Sequence, residues 1–354
     1  MPLRAHASYA ARFRISAREV GSMHVNSVEE MPAPKVTVLV PTYNTEKYLA
    51  QNLDALVGQT LRDIEIIAIN DGSTDGSLDI MRQYAARDAR IRVIDKPNSG
   101  YGASLNLGID EARGEYIAIS EPDDYIERTM LAKMYKAGKK READLVKCNY
   151  FEHFDTRENK HKNLAGYPYG RVFDAADQPQ IIRTVPGIWT GLYRRDWLNA
   201  EGIRFRETPG ASFQDTAFVM KSWFAARRVV LLRRCLVHYR MDNPNSSVKT
   251  SNKVFEVCDE LAESQQFLRQ RPARYKAFIS WFHVDKWGKY QWNYERISPE
   301  LHASFAQRAK AEYAEAQAAG ELDMSLFAPE AAEQVTDLLA LDPAQFAQKY
   351  STLV

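Results

Sequence analysis

The sequence has little of what marks several large classes of protein. Its 354 residues include only three cysteines, whose spacing matches neither a zinc motif nor a redox pair, so we expect reduced thiols in a cytoplasmic protein. Apolar runs such as VTVLV and IEIIAI fall far short of the roughly 18 residues that a membrane-spanning helix needs. The formal charge of +1 provides no electrostatic footprint for nucleic acid. Any contact with a membrane is therefore expected to be peripheral.

Two strand-turn-helix units stand near the start of the chain. Residues 36–50, VTVLVPTYNTEKYLA, and residues 64–77, IEIIAINDGSTDGS, each begin with an aliphatic run, break into a polar turn and continue in a helical pattern. Buried parallel strands deliver ligand-binding loops in this way, so the pair predicts a nucleotide-binding α/β half. Neither turn is a GxGxxG or a GxxxxGK[ST], which excludes the dinucleotide fingerprint and the Walker loop.

The two turns indicate what is bound. A proline keeps the first turn extended, so that a tyrosine and an asparagine can present an aromatic face and an amide to a flat base. In the second turn a carboxylate can accept hydrogen bonds from a base or ribose, and a glycine lets the backbone approach. Ordinary turn and helix-cap chemistry remains the alternative for each turn alone. The residues concerned are Pro41, Tyr43 and Asn44, then Asp71, Gly72 and Ser73.

Four motifs in order resemble the signature of the family 2 glycosyltransferases with the GT-A fold. They are PTYN from Pro41, INDGSTDGS from Ile69, NSGYGASLN from Asn98 and ISEPDDYI from Ile119. The resemblance implies an α/β fold in which a Rossmann-like mixed sheet is flanked by helices. It also implies a catalytic domain at residues 34–245, with a nucleotide-binding half at 34–127 and an acceptor half at 128–245.

The same resemblance implies an activity. Such an enzyme is a metal-dependent, inverting glycosyltransferase of the hexosyltransferase class. It moves a sugar from a nucleotide-sugar, here expected to be a UDP-sugar, to a hydroxyl of a glycan or lipid-linked acceptor. Bacterial members of this type build cell-surface polysaccharide at the cytoplasmic side of the plasma membrane. A nucleotidyltransferase is less compatible, because PTYN is not a Gly-rich activation loop bearing Lys or Arg; a non-catalytic sugar-nucleotide-binding or scaffolding protein remains an alternative.

The third and fourth motifs supply further donor and metal contacts by the resemblance. The third matches a loop and helix that close over the nucleotide, with Leu105 where the family often has Arg. The fourth follows a predicted strand at 116–120 and places carboxylates at the edge of the sheet where α/β proteins bind ligands. Oxygen ligands there suit Mn²⁺ or Mg²⁺, which neutralises a leaving diphosphate. The expected contacts are Asn98, Gly100, Ser104, Asn106 and Glu121 for the donor and Asp123 for the metal.

The acceptor half carries two matching segments. IWTGLYRRDWL, which begins at Ile188, resembles the segment beside the acceptor cleft and contains Trp189. SFQDTAF, which begins at Ser212, resembles the base motif, with Gln214 where most relatives have Glu. An inverting transfer needs one carboxylate to deprotonate the acceptor hydroxyl, and we assign Asp215 to that task. A helix N-cap is the alternative for Asp215, and Trp189 and Gln214 are expected to contact the acceptor.

The segment VHYRMDNPNSS provides the last candidates. By the resemblance, His238 is expected to complete the metal site, because imidazole suits Mn²⁺ more than Mg²⁺; a structural histidine is the alternative. Arg240 is expected to pair with the diphosphate, since its planar guanidinium suits phosphate oxygens. Ser246 and Ser247 follow in the same loop.

The two ends of the chain are expected to differ from the middle. The first 33 residues, with four arginines before the first acid, predict a disordered segment; a transit peptide is the alternative. Residues 246–354 predict a C-terminal helical region. One of its segments, residues 276–296, concentrates Trp, Tyr and Lys, which suits a sugar-stacking or membrane-interface surface, or simple packing on the catalytic domain.

Overall fold

Strands and helices alternate through the first part of the chain, as the sequence predicts. The structure, a computed structural model, describes residues 33–244 and 254–351. β1 and β2 are buried along their whole length, as expected for parallel strands covered on both faces. The elements of this part are β1 (Val36–Thr42), α1 (Glu46–Val57), β2 (Ile64–Asp71), α2 (Ser77–Ala85), β3 (Ile91–Lys96), α3 (Tyr101–Glu111) and β4 (Tyr116–Ile119).

The next part of the chain completes a mixed sheet. Its elements are β5 (Tyr125–Ile126), α4 (Met130–Arg141), β6 (Leu145–Phe154), β7 (Arg157–His161), β8 (Val172–Phe173), β9 (Gly191–Arg194), α5 (Arg195–Glu201), α6 (Gln214–Ala225) and β10 (Val229–Arg240). Within the described ranges the sheet has the order β3-β2-β1-β4-β9-β6-β10-β5, with β7 beside β6 and β8 beside β10. β9 runs antiparallel to both β4 and β6. The predicted Rossmann-like mixed sheet is confirmed.

The register of the parallel strands brings their carboxyl ends together. Thr42 at the end of β1 pairs with Asn70 of β2, and Asn70 pairs with Asp95 of β3. On the other side of β1, Leu39 pairs with Ile119, the last residue of β4. The turns that follow β1, β2 and β4 therefore leave the sheet at one edge, where α/β proteins bind ligands.

The C-terminal part is helical and packs on the acceptor half. Its helices are α7 (Glu256–Arg269), α8 (Pro272–Tyr294), α9 (His302–Ala318), α10 (Pro329–Ala340) and α11 (Pro343–Lys349). Arg274 of α8 donates from Nε to the carbonyl of Phe224 (2.6 Å) and from Nη2 to that of Ala226 (2.8 Å). The last carbonyls of a helix lack partners within it, so Arg274 both closes α6 and fastens α8 to it.

Some expectations concern residues that the structure does not describe. Of the predicted N-terminal segment, residues 1–33, only Ala33 is described, and the predicted boundary at 245/246, with Ser246 and Ser247, lies outside the described residues. None of the helices within the described ranges combines the length and the apolar character needed to cross a bilayer.

Candidate active site

A large cavity lies at the carboxyl edge of the sheet. Its volume of about 810 Å³ is in the range of small-molecule sites. The turns after β1, β2 and β4 form one wall, the segment leading into α6 forms the opposite wall, and one side of α8 closes a third. Many of the predicted site residues line it: Pro41, Tyr43, Asn44, Asp71, Asn98, Ser104, Glu121, Asp123, Trp189, Gln214 and Asp215.

The first two turns are tied to each other by side chains. Asn44 has a positive φ of 53°, a conformation that asparagine tolerates better than most residues. The backbone N–H of Asn44 donates to Ser73 Oγ (3.1 Å), and the side-chain Oδ1 of Asn44 accepts from the backbone N–H of Thr74 (2.7 Å). Ser73 itself does not line the cavity, so within the described structure it supports the wall and does not form part of it.

Asp71 holds the loop that precedes α3. Its carboxylate accepts hydrogen bonds from the N–H groups of Ser99 (2.8 Å) and Gly100 (3.0 Å) and pairs with Lys96. Gly72, with a φ of +71°, leaves room for this loop, because a Cβ there would lie 2.8 Å from the nitrogen of Asn98. A contact of Asp71 with a nucleotide base stays a prediction, whereas its role in shaping the cavity wall is visible.

Two other predicted donor residues join α3 to the acceptor half. A Cβ on Gly100 would lie 2.4 Å from the carbonyl oxygen of Thr208, which explains the glycine at this close approach. Asn106 accepts from the Phe205 N–H (2.9 Å) and donates to its carbonyl (2.9 Å). Neither Gly100 nor Asn106 lines the cavity; both fix the distance between its two walls.

The position where the family often has Arg faces the core. Leu105 is fully buried. Having leucine in place of arginine at this position therefore leaves no gap in the cavity wall. Among the described residues the cationic side chains of the lining are Lys47, Lys289 and Arg296. These are the groups in reach of an anionic ligand.

Four carboxyl groups of the described residues line the cavity, those of Asp71, Glu121, Asp123 and Asp215, and the charges of the last two act on Glu121. Tyr101 donates its hydroxyl proton to Glu121 Oε1. Burial raises the pKa of Glu121 to about 8, and the charges of Asp123 and Asp215 act in the same direction against the hydrogen bond from Tyr101. Burial likewise raises the pKa of Asp215, while its hydrogen bonds from Thr216 and the charge of Lys289 oppose the shift. At Glu121 the neighbouring negative charges thus disfavour the ionised form of the carboxyl group.

The turn that carries Asp123 is fastened from both sides. Asn243 donates from Nδ2 to Asp123 Oδ2 (2.8 Å), and Arg240 donates from Nε to the Asp123 carbonyl (3.1 Å). Its neighbour Asp124 is buried and accepts the N–H of Arg240 (2.8 Å). Glu121 and Asp123 both line the cavity, so this turn forms part of its wall.

Neither His238 nor Arg240 is among the described residues that line the cavity, so their expected contacts with the metal and the diphosphate stay predictions. Successive side chains of a strand point to opposite faces, and on β10 it is Tyr239 that lines the cavity and stacks on Trp189 at 4.8 Å. His238 instead stacks on Tyr125. Arg240 lies over the ring of Tyr48 at 4.7 Å, and its bond to the Asp123 carbonyl holds the turn in place.

Asp215 stands at the first turn of α6 without being its N-cap. The N-cap is Phe213, which has a φ of 58°, an uncommon value for a bulky residue that indicates local strain. Asp215 Oδ1 accepts from the Thr216 N–H at 2.7 Å. Its neighbour Gln214 is buried and organises the preceding loop, donating to Thr208 Oγ1 (2.7 Å) and accepting from the Ser212 N–H.

Sequence reasoning missed part of the wall. Tyr101 and Tyr239 lie inside predicted motifs without having been singled out, and strand alternation beside His238 is the signal that could have found Tyr239. Lys289 and Trp292 come from α8, in the segment rich in Trp, Tyr and Lys. The ring of Trp292 packs edge-on against Phe213 at 5.7 Å, so this helix takes part in the site.

Comparisons with known proteins point the same way. The profile of the family described as Glycosyl transferase family 2 matches residues 37–201. EpsH of Bacillus subtilis (strain 168), named as a glycosyltransferase, is 36% identical over 229 residues, 64% of this chain and 66% of that protein. Glycosyltransferase GlyG of Streptococcus pneumoniae serotype 4 is 31% identical over 217 residues, 58% of this chain and 70% of that protein. The chain thus spans about two thirds of the length of these relatives.

A solved structure matches over most of the chain. The crystal structure of S. aureus TarS 1-349 in complex with UDP-GlcNAc has a TM-score of 0.68 at 19% sequence identity, and the match covers 90% of this chain and 91% of that chain. At this identity the match establishes a shared fold.

Proposed function

Because the chain belongs to glycosyl transferase family 2, with the GT-A fold, we propose that it is a metal-dependent, inverting glycosyltransferase. The donor is a nucleotide-sugar, and a UDP-sugar is favoured by the likeness of fold to a protein that binds UDP-GlcNAc. The observation that carries the proposal is the single cavity in which Asp71, Asp123 and Asp215 all take part. It joins the predicted nucleotide loops, the predicted metal turn and the predicted base.

The carboxylates of the cavity fit a hard divalent cation. Asp123 would hold Mn²⁺ or Mg²⁺, since such ions accept one or two protein carboxylates and complete their shell with substrate phosphates, and Glu121 would contact the donor. His238 is left out of this set because it lies outside the cavity lining. When bound, the ion neutralises charge on the departing diphosphate.

Asp215 would act as the general base. It lines the wall of the cavity opposite the predicted nucleotide loops. There it can take the proton of an acceptor hydroxyl while the hydroxyl oxygen attacks the anomeric carbon from the face opposite the diphosphate. The raised pKa of Asp215 makes the carboxylate a better proton acceptor while it is ionised. The sugar C–O bond to the phosphate breaks as the new bond forms, so the anomeric configuration inverts.

The acceptor is proposed to be a glycan or a lipid-linked glycan of a bacterial cell surface. Aromatic side chains suited to stacking on sugars line the acceptor side of the cavity, notably Trp189, Phe213 and Trp292. Synthesis at the cytoplasmic side of the plasma membrane, with a peripheral contact, completes the proposal.

One assay separates this function from its alternatives. The protein is incubated with a panel of sugar nucleotides, with Mn²⁺, Mg²⁺ or EDTA, and the released nucleotide is identified. A glycosyltransferase releases nucleoside diphosphate from the panel and loses activity in EDTA. A nucleotidyltransferase leaves the panel unchanged, and releases pyrophosphate only when it is given a nucleoside triphosphate and a sugar phosphate instead. If the protein binds a sugar nucleotide but does not turn it over with any acceptor, the non-catalytic alternative is favoured. Full activity in EDTA would exclude a metal-dependent mechanism.

A further inference from the structure

A second group of metal-ligating side chains lies outside the active-site cavity. His153 of β6, Glu158 of β7 and His238 of β10 come from three strands, and their ligand atoms all lie within 4.8 Å of one another. The Nδ1 atoms of His238 and His153 lie 2.6 Å and 2.9 Å from the same oxygen, Glu158 Oε1. We propose that His153, Glu158 and His238 form a binding site for Zn²⁺, separate from the donor's metal.

The ligand set suits zinc. Two imidazoles and one carboxylate, with a fourth position left to water or another oxygen, make a common tetrahedral set for this ion. Zinc holds such atoms at about 2.0–2.2 Å, so neighbouring ligand atoms lie roughly 3.3 Å apart. The two observed nitrogen-to-oxygen separations are shorter than this by less than an ångström, a difference that small side-chain rotations supply. Zinc would bind each histidine through an unprotonated Nδ1, so zinc binding would compete with protons for these atoms.

The surroundings of His238 are those of a metal ligand. Its ring is held between Tyr125, at 4.2 Å, and Phe151, at 4.8 Å, so its orientation is fixed before any ion arrives. Its other nitrogen, Nε2, lies 3.3 Å from Glu127 Oε1. A carboxylate that accepts the second N–H of a histidine selects the tautomer whose remaining nitrogen ligates, which is the usual support of a zinc histidine.

The site is also accessible and balanced in charge. The side chains of His153 and Glu158 are 18% and 34% exposed, which leaves a path for an ion from solvent. Glu158 and Glu127 place two carboxyl groups beside the imidazoles, and a divalent cation would balance the charge of both. The Tyr125 hydroxyl, 3.1 Å from Glu158 Oε1, stands near the position of a fourth ligand.

Such an ion would join the strands beneath the active-site turn. Tyr125 and Ile126 form β5, which begins two residues after Asp123, and they pair with His238 and Val237 of β10. A zinc ion bound to β6, β7 and β10 would therefore stiffen the part of the sheet that supports the turn at residues 121–124. We infer a structural role for it.

The test is a zinc titration of the full chain. Protein freed of metal with a chelator, and without nucleotide, is titrated with Zn²⁺ against a chromophoric competitor, and with Co²⁺ to record the visible spectrum of a tetrahedral site. The wild type is expected to bind one equivalent and to unfold at a higher temperature with zinc. The double variant H153A/H238A should lose this binding and the Co²⁺ spectrum, and Glu127→Gln should weaken zinc binding roughly 10- to 100-fold.

Matched variants separate this site from ordinary surface pairs and from the donor's metal. His161→Ala removes a comparable imidazole that pairs with Glu152 on the same two strands, 2.9 Å away, and should leave the titration unchanged. Asp123→Asn should do so as well. If the double variant does not fold, Glu158→Gln replaces it, with an expected loss of at least tenfold. Equal zinc binding by wild type and H153A/H238A, or loss of binding in Asp123→Asn, would overturn the proposal.

Discussion

Charge on the carboxylates of the cavity is the property that most directly governs the proposed chemistry. Burial raises the pKa of Glu121 to about 8 in the metal-free protein, with the charges of Asp123 and Asp215 adding to the shift and the hydrogen bond from Tyr101 opposing it, so Glu121 is mainly protonated at neutral pH. Asp215 must be ionised to act as a base, yet burial raises its pKa as well. The same cavity thus keeps Glu121 neutral and needs Asp215 charged. The neighbouring groups of the two carboxyls produce this difference in charge.

Replacing Asp215 tests the base. Asp215→Asn is nearly isosteric, so it should keep the fold and donor affinity, but kcat should fall by roughly 10²-fold or more, the scale for losing a positioned proton acceptor. Gln214→Ala is the control: its side chain holds Thr208 Oγ1 and the Ser212 N–H, so it should mainly raise the KM for the acceptor. Near-normal kcat in Asp215→Asn, or a product that retains the donor's anomeric configuration, would exclude this mechanism.

Lys289 should set the lower pH limit of activity. Its positive charge lowers the pKa of Asp215 against the effect of burial. Lys289→Met removes that charge, so the pKa of Asp215 should rise and the acid limb of kcat/KM should move to higher pH, with little change on the plateau. Lys289→Arg keeps the charge and should keep the limb in place. A change in KM without a shift of the pH profile would mean that Lys289 acts only by contact.

At the scale of elements, β10 shows where the sequence was informative and where it was not. Its existence and the order of the preceding motifs are readable from aliphatic runs and turns. The direction of each side chain is not, because it depends on which face of the sheet the strand presents. Tyr239 lines the cavity, whereas His238 and Arg240 are not among the lining residues that the structure describes, so the family motif indicated the strand without indicating which of its side chains lines the cavity.

The approach of α3 to the acceptor half can be tested with two helical glycines. A Cβ on Gly102 would lie 2.1 Å from the Arg206 carbonyl oxygen, whereas one on Gly288 of α8 meets nothing within 4 Å. Gly102→Ala should therefore destabilise the protein by about 1–3 kcal/mol through overpacking. Gly288→Ala should stabilise it by about 0.5–1 kcal/mol through helix propensity. Denaturant unfolding measures the free energy of unfolding of both variants. If Gly102→Ala stabilises the protein as Gly288→Ala is expected to do, α3 and residues 205–208 are not in rigid contact.

At the scale of the whole molecule, the C-terminal helices belong to the active site as well as to the core. Trp287 and Trp292 lie five positions apart in α8, yet Trp287 is buried and donates to Gln334 at 3.1 Å, while Trp292 lines the cavity. A helical pattern predicts that both belong to a helix. It cannot predict which side meets the sheet, because long-range contacts such as that of Arg274 with the end of α6 decide it.

The pH dependence of stability should be governed in part by one buried acid of α7. Glu260 is 1% exposed, and within the described part of the chain neither of its carboxylate oxygens has a hydrogen-bond partner. Burial, with the nearby charge of Glu263, raises its pKa from the ordinary 4.5 to about 8. Between these two values the folded chain keeps a proton that the unfolded chain has lost. The stability contributed by this group therefore falls as pH rises from 4.5 to about 8.

Glu260→Gln should remove that slope. The amide is nearly isosteric and uncharged, so the variant should gain stability over the wild type as pH rises, with the largest difference near pH 8, measured as urea midpoints at a series of pH values. Some slope should remain, because Glu121 has a similarly raised pKa. Glu263→Gln is the matched control on the same helix: Glu263 pairs with buried Lys221 at 2.5 Å, so its loss should destabilise the protein at neutral pH. Parallel stability curves for wild type and Glu260→Gln would show that Glu260 is ionised in the folded chain.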